Sequence, residues 1–109
     1  MGVRQARAQM NGQVTEAEFQ QTVVQYAVLR GWRTYHTHDS RRSNPGYPDL
    51  TLVRDRRIVF AELKTETGRV THDQQEWLTD LLVAANWNPG VDVYVWHPSD
   101  WGLIEDVLR

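Results

Sequence analysis

Two acidic residues and a lysine are spaced so that they could meet at one end of a β-sheet. Asp49 follows Pro48, and Glu62 and Lys64 stand one residue apart at the end of an apolar run. Successive residues of a strand point to opposite faces, so Glu62 and Lys64 project to the same side. Asp49 can approach that side if its strand pairs with theirs as a hairpin. The spacing therefore predicts that two carboxylates and one ammonium group converge.

Charged side chains at the end of a buried strand indicate a bound ion. Burying them without compensation is costly, and a hard divalent cation such as Mg²⁺ compensates carboxylates well. Such an ion polarises a phosphoryl oxygen and lowers the pKa of a bound water, while Lys64 can stabilise charge that develops on a phosphate. The alternative is an ordinary ion-pair cluster on an exposed edge strand. The apolar run Ile58-Val59-Phe60-Ala61 before Glu62 argues against it.

The elements that must position these residues alternate between helix and strand. Capping-box spacing at Thr15 and a glycine at Gly31 predict a first helix over 15–30. A second helix signal opens at Thr71, and a third at Ser99 or Asp100. Alternating or apolar segments bounded by turn residues predict four strands, over 32–36, 49–54, 57–65 and 91–97. The predicted fold is an α/β domain in the order α-β-β-β-α-β-α, with a mixed four-stranded sheet flanked by helices.

The size and composition of the chain restrict its organisation. Its 109 residues leave room for one compact domain, predicted over 15–109, and the polar, aperiodic residues 1–14 are expected to form a flexible arm. The lack of cysteine excludes disulfides and thiolate metal sites. No segment approaches the roughly 20 apolar residues of a membrane span or the core of a signal peptide, so we expect a cytoplasmic protein. The net charge of −2 leaves nucleic-acid binding open.

Four short blocks follow one another along the chain in a recognisable order. They are Gly46-Tyr47-Pro48-Asp49-Leu50, Ala61-Glu62-Leu63-Lys64, Gln74-Gln75-Glu76-Trp77-Leu78 and Tyr94-Val95-Trp96-His97-Pro98-Ser99-Asp100-Trp101. Together they resemble the VRR-NUC family of the PD-(D/E)XK nuclease superfamily, over residues 16–109. The resemblance implies a restriction-endonuclease-like fold and a DNA endonuclease that hydrolyses phosphodiester bonds with Mg²⁺ or Mn²⁺.

The resemblance also implies roles for residues outside the central motif. The acid of the first helix in this family corresponds to Glu18, as a direct or water-mediated metal contact, and its glutamine corresponds to Gln74 in the active site. We expect the ion to be bound by Glu18, Asp49, Glu62 and the backbone carbonyl of Leu63. Glu18 and Gln74 each have a structural alternative, because each stands three residues after a threonine, which is capping-box spacing.

The partners follow from the same resemblance. Stand-alone phage and bacterial members are similar to Holliday-junction resolvases, since they form homodimers and act on branched DNA. We therefore expect a homodimer that cuts junctions or forks in a bacterial or phage-infected cell, because symmetric cutting needs two sites related by a twofold axis. Arg41 and Arg42, in the loop before the Pro-Asp block, and His36 are candidates for DNA contact. A zinc site at His36 and His38 is not expected, since nothing nearby completes a tetrahedral set.

Two other functions remain compatible with this sequence. A non-catalytic DNA-binding or scaffold protein could keep the fold, although a pure binder gains little from two acids that face phosphate. A restriction-type endonuclease would read a short duplex sequence, for which the chain offers no recognition subdomain. Cleavage of branched against linear DNA discriminates among the three.

Overall fold

The computed structural model describes residues 14–38 and 44–109, which form a single sheet with helices on both of its faces. The predicted order of elements is confirmed. Residues 1–13, most of the predicted arm, lie outside the described residues. None of the helices in the described ranges is long and apolar enough to cross a membrane. In chain order the elements are α1 (Glu16–Leu29), β1 (Arg33–His36), β2 (Leu50–Arg54), β3 (Arg57–Leu63), α2 (His72–Asn86), β4 (Val91–Trp96), a 3-10 turn (Pro98–Asp100) and α3 (Trp101–Leu108).

The sheet is mixed, with β3 in its interior, as the apolar run predicts. Its strand order is β1-β2-β3-β4; the first three strands are antiparallel and β4 runs parallel to β3. A tight turn at Asp55, which adopts a φ of 52°, joins β2 to β3. The register pairs Leu50 with Ala61. One step further along both strands, Asp49 therefore comes opposite Glu62.

One face of the sheet carries the hydrophobic core. Because side chains alternate along a strand, residues such as Leu52 and Ala61 point to this face, where α1 and α3 pack against them. Removing these apolar side chains from water is the main force that holds the two helices on the sheet. The buried cluster consists of Phe19, Val23, Ala27, Trp32, Leu50, Leu52, Val59, Ala61, Leu63, Trp96, Trp101, Ile104 and Leu108.

Two arginines of the β2–β3 hairpin stabilise the end of α3. Arg54 donates a hydrogen bond to the carbonyl of Leu108 (3.1 Å), and Arg57 donates one to the carbonyl of Val107 (3.0 Å). Their guanidinium groups also lie over the ring of Trp32, 4.6 and 5.1 Å from its centroid. Cations suit this position, because the last carbonyls of a helix carry partial negative charge. Both arginines therefore have a structural role, which is to hold the end of α3 against the β2–β3 hairpin.

The other face of the sheet carries the side chains of Thr51, Phe60 and Glu62, and α2 lies over it. The ring of Tyr47 connects the two layers, since its centroid lies 6.4 Å from that of Phe60 and 5.0 Å from that of Trp77 in α2. Edge-to-face contacts of this kind stabilise aromatic pairs. The loop before β2 is thereby fixed between the sheet and α2.

The start of α3 differs in detail from its predicted cap. Asp100 occupies the N-cap position, but its side chain makes no hydrogen bond to the helix. Its carboxylate instead accepts the N–H of His97 at 2.8 Å and so caps a 3-10 turn ahead of α3, which the N–H of Asp100 closes by donating to the carbonyl of His97 at 2.9 Å. The N–H of Ser99, the other predicted cap, donates to Glu66 at 3.0 Å. The proline at position 98 favours this turn, because its fixed φ suits a first helical position.

Candidate active site

Asp49, Glu62 and Lys64 come together where β2 begins and β3 ends. Asp49 accepts the backbone N–H of Leu63 through its Oδ2 atom at 2.8 Å, which fixes its carboxylate beside β3. The Nζ atom of Lys64 lies 3.3 Å from Oε2 of Glu62. The three groups therefore converge as the strand alternation predicts, on the face of the sheet opposite the main core.

Glu62 is the most unusual group of this cluster. Its exposed fraction is 0%, and neither of its carboxylate oxygens accepts a well-formed hydrogen bond from the described residues. The pKa of Glu62 is raised to about 7, chiefly by burial and also by the charge of Asp49, while the charge of Lys64 lowers it. A buried carboxylate that accepts no well-formed hydrogen bond is costly even beside one lysine, so native proteins seldom keep one without a functional reason.

These donors fit a hard divalent cation. Mg²⁺ is bound in proteins by one or two carboxylates, with waters and substrate oxygens completing its octahedron. The carboxylates of Glu62 and Asp49 provide that pair. Across residues 14–38 and 44–109 no three His, Asp or Glu side chains lie close enough to form a larger ligand set. The site thus suits an ion that keeps most of its coordination for water and substrate.

Glu18, the predicted metal contact of the first helix, is engaged in capping that helix. Its carboxylate accepts the N–H of Thr15 at 3.3 Å, and its own N–H donates to the Thr15 hydroxyl at 3.1 Å. This is the capping box that the spacing allowed as the alternative. The structure does not bring Glu18 to the carboxylate cluster.

Glu16 is the acid of α1 that interacts electrostatically with the site. Burial and the charge of Asp49 raise the pKa of Glu16, and the charge of Lys64 lowers it. Glu16 belongs to none of the sequence motifs, although the sequence carries a signal for its position. Glu16 stands three and seven residues before Phe19 and Val23, which places it beside the buried stripe of the helix.

Gln74 also closes a capping box, at the start of α2. Its Oε1 atom accepts the N–H of Thr71 at 2.9 Å, and its N–H donates to the Thr71 hydroxyl at 3.2 Å. The side chain is nevertheless half-buried, and the backbone of Gln74 touches the loop that carries Asp49. A Cβ atom on Gly46 would lie 2.5 Å from the carbonyl group of Asp73 and 2.8 Å from the nitrogen of Gln74. This close approach positions the Pro-Asp loop against α2.

We expect Gly46→Ala to lower the free energy of unfolding by at least roughly 2 kcal/mol. Gly46 has a φ of +94°, which an alanine adopts only with strain, and the new methyl group would collide with backbone atoms. Urea denaturation measures the change. Gly102→Ala is the matched control: nothing lies within 4 Å of its Cβ position in α3, so this variant should be stabilised by about 0.5–1 kcal/mol. Equal effects of the two substitutions would contradict the packing of the loop against α2.

The remaining predicted contacts lie at or beyond the edge of the site. The rings of His36 and His38 are 4.4 Å apart and exposed, and His36 pairs with Leu50, the residue after Asp49. Arg41 and Arg42 lie outside the described residues. Their roles in DNA binding stay predictions.

Comparisons with known proteins agree with this geometry. Residues 5–100, most of the chain, match the VRR-NUC domain. No curated protein matches the chain significantly, and no solved structure does. The matched residues include the whole carboxylate cluster and the loop that positions it. The chain therefore belongs to the VRR-NUC family, a family of nucleases, whose substrate is DNA.

Proposed function

We propose that this chain is a metal-dependent DNA endonuclease whose site is formed by Asp49, Glu62 and Lys64. The observation that carries the proposal is the fully buried carboxylate of Glu62, which accepts no well-formed hydrogen bond from the described residues and lies beside a second acid and the ammonium group of Lys64. The membership of the chain in a nuclease family supports the same reading. A non-catalytic DNA-binding protein would not need to keep such a costly group.

Each residue of the site has a separate task in phosphodiester hydrolysis. Mg²⁺ or Mn²⁺ held by Asp49, Glu62 and the Leu63 carbonyl would supply Lewis-acid polarisation of the scissile phosphate and acidify water. Asp49 is preoriented, because the N–H of Leu63 fixes one of its oxygens. Lys64 is almost buried and supplies positive charge where negative charge develops on the phosphate. Gln74 remains a candidate for contact with substrate or water, through the amide NH₂ group that its capping box does not use.

We propose Glu16 for the role at the first helix that the resemblance assigned to Glu18. Glu16→Gln is expected to slow cleavage roughly 10- to 100-fold, the range typical of groups that surround a metal site. Glu18→Gln is the control, since glutamine also closes a capping box and removes only the charge. Cleavage rates in Mg²⁺ with urea denaturation of both variants measure the difference. If Glu18→Gln folds and cleaves more slowly than Glu16→Gln, Glu18 and not Glu16 has this role.

The proposed substrate is branched DNA, cut by a homodimer. The resemblance to stand-alone phage and bacterial nucleases supports this substrate, and a twofold axis would relate two sites for symmetric cuts. Apolar side chains at the end of α2 and at the residue after it are exposed and available to a partner, namely Leu82, Val83 and Trp87. Sedimentation equilibrium should give twice the mass of one chain. A monomer at micromolar concentration would contradict the proposed dimer but not the proposed mechanism of cleavage.

Cleavage of a panel of labelled DNAs tests the function. Four-way junctions, forks and linear duplexes are incubated with the wild-type protein in Mg²⁺ or Mn²⁺. The Lys64→Ala variant, whose folding is checked by circular dichroism, is the inactive comparison. Cuts near branch points that Lys64→Ala does not make support the proposal. Discrete cuts in linear plasmid would favour a restriction-type endonuclease. Binding of DNA with no cleavage in either metal would favour a scaffold protein.

A further inference from the structure

A cleft with aromatic walls opens next to the carboxylate cluster. It has a volume of about 330 Å³ and is lined by Tyr35, Thr37, Asn44, Tyr47 and Trp77. This volume is at the lower end of the range for small-molecule sites, roughly 300–1,000 Å³. Tyr35 stands on β1 with 61% of its surface exposed. The ring of Tyr47 is held by its edge-to-face contact with Trp77.

The strand register places this cleft on the same face of the sheet as the catalytic carboxylates. Tyr35 pairs with Thr51, and Thr51 pairs with Phe60, which form one row across three strands. In the next row the N–H of Thr37 donates to the carbonyl of Asp49 at 2.8 Å. Asp49 in turn comes opposite Glu62. Two residues along each strand separate the rows, a distance of about 7 Å, since a strand rises roughly 3.3 Å per residue.

The lining of the cleft has the chemistry that recognises a nucleobase. Aromatic rings provide stacking surfaces that accept every base, because every base has a π-face. Asn44 is exposed and carries both amide donors and an amide acceptor, and the hydroxyl of Tyr35 can donate or accept. The hydroxyl of Thr37 donates to the carbonyl of Pro48 at 2.7 Å, which connects the cleft directly to the Pro-Asp motif. A base in the cleft would thus be adjacent to the loop that carries Asp49.

We propose that this cleft, defined by Tyr35, Thr37, Asn44, Tyr47 and Trp77, receives one unpaired nucleobase of the DNA and thereby selects substrates with unstacked nucleotides near the cut. The inference rests on the proposed nuclease function and deepens it. A base inside a duplex is stacked on both sides and cannot enter the cleft, whereas an unpaired base at a branch point can leave the stack at low cost. The short distance between the two rows allows the phosphate of the same or the next nucleotide to reach the carboxylates.

Fluorescence of 2-aminopurine tests whether a base enters the cleft. The probe is placed at an unpaired position of a fork and, for comparison, inside a matched duplex, and Ca²⁺ replaces Mg²⁺ so that the DNA stays intact. Binding of the wild-type protein should quench the unpaired probe by stacking and leave the paired probe unchanged. Tyr35→Ala should reduce the ratio of affinities for unpaired over paired DNA roughly five- to hundredfold. Tyr35→Phe, which keeps the ring, should retain most of that ratio.

Two further variants make the result specific. Asn44→Ala removes a polar group of the cleft from an exposed position, so it should fold normally and also lower the affinity ratio. Val53→Ala changes an exposed residue of β2 on the same face that does not line the cleft, and its ratio should equal that of the wild type.

The outcomes separate this inference from the proposed function. Cleavage of DNA in Mg²⁺ without quenching of the unpaired probe would overturn base binding by the cleft and leave the proposed nuclease function standing. Quenching without cleavage in Mg²⁺ or Mn²⁺ would support base binding by the cleft and overturn the nuclease function. An altered solution mass of Tyr35→Ala would assign Tyr35 to a contact between copies of the chain, and the inference would fall.

Discussion

Glu62→Gln is expected to abolish metal-dependent cleavage, with a rate loss of at least roughly a hundredfold. Substitutions that act only through the surroundings of a metal site already cost 10- to 100-fold, and Glu62 would contact the ion itself. Glutamine keeps the size of the side chain and removes the charge on which a hard cation depends. Initial rates on a branched substrate in Mg²⁺ and in Mn²⁺ measure the effect.

A matched substitution outside the site provides the control for this loss. Glu76 lies on the exposed side of α2, where its Oε1 atom is 2.7 Å from Nε2 of His72. Glu76→Gln therefore removes the same charge without touching the carboxylate cluster, and its cleavage rate should stay within about twofold of the wild type, since surface substitutions are usually tolerated. Cleavage by Glu62→Gln at a wild-type rate would eliminate Glu62 as a metal ligand and with it the proposed mechanism.

The second large effect is a loss of stability of the metal-free protein as the pH rises from about 4.5 to 7. The pKa of Glu62 is 4.5 in an unfolded chain and about 7 in the folded one. The folded state thus holds this proton more tightly, and the resulting stabilisation is complete below pH 4.5 and lost as the pH rises through 7. The change corresponds to about 3 kcal/mol of unfolding free energy.

Urea denaturation in the presence of a chelator, at pH 5 and at pH 8, measures this effect. The difference between wild type and Glu62→Gln isolates the contribution of Glu62, because all other titrating groups are common to both. At pH 8 the metal-free glutamine variant should be the more stable protein. The same pH dependence in both proteins would show that the Glu62 carboxylate is better solvated than its burial implies.

Addition of Mg²⁺ should reverse the loss in the wild type only. A cation binds the ionised carboxylate, so metal binding releases the proton and stabilises the fold most where the proton is already gone. The wild type should regain stability at pH 8 and gain little at pH 5. Such a reversal would identify Glu62 as a residue kept for function at the expense of stability.

Local patterns predicted most of the fold because local rules agreed with the tertiary structure. The apolar run Ile58-Val59-Phe60-Ala61 predicted an interior strand, and the strand period placed Glu62 and Lys64 on one side. Both capping boxes were recognised by spacing, and both are formed. What spacing could not decide was whether Glu18 and Gln74 serve the cap or the site. In the structure one oxygen of each side chain accepts the N–H of the threonine three residues before it, so both residues form caps, and a role in the site stays a prediction.

The amino-acid sequence by itself determined the order of the elements, the family and the convergence of Asp49, Glu62 and Lys64, because strand alternation and a hairpin register are local properties. Only the tertiary structure decided which acid of α1 is close to the site, since that depends on how the helix is rotated on the sheet. It also created the aromatic cleft, whose walls come from β1, the loop before β2 and α2. These segments are remote in sequence, and the burial of apolar side chains on both faces of the sheet brings them together.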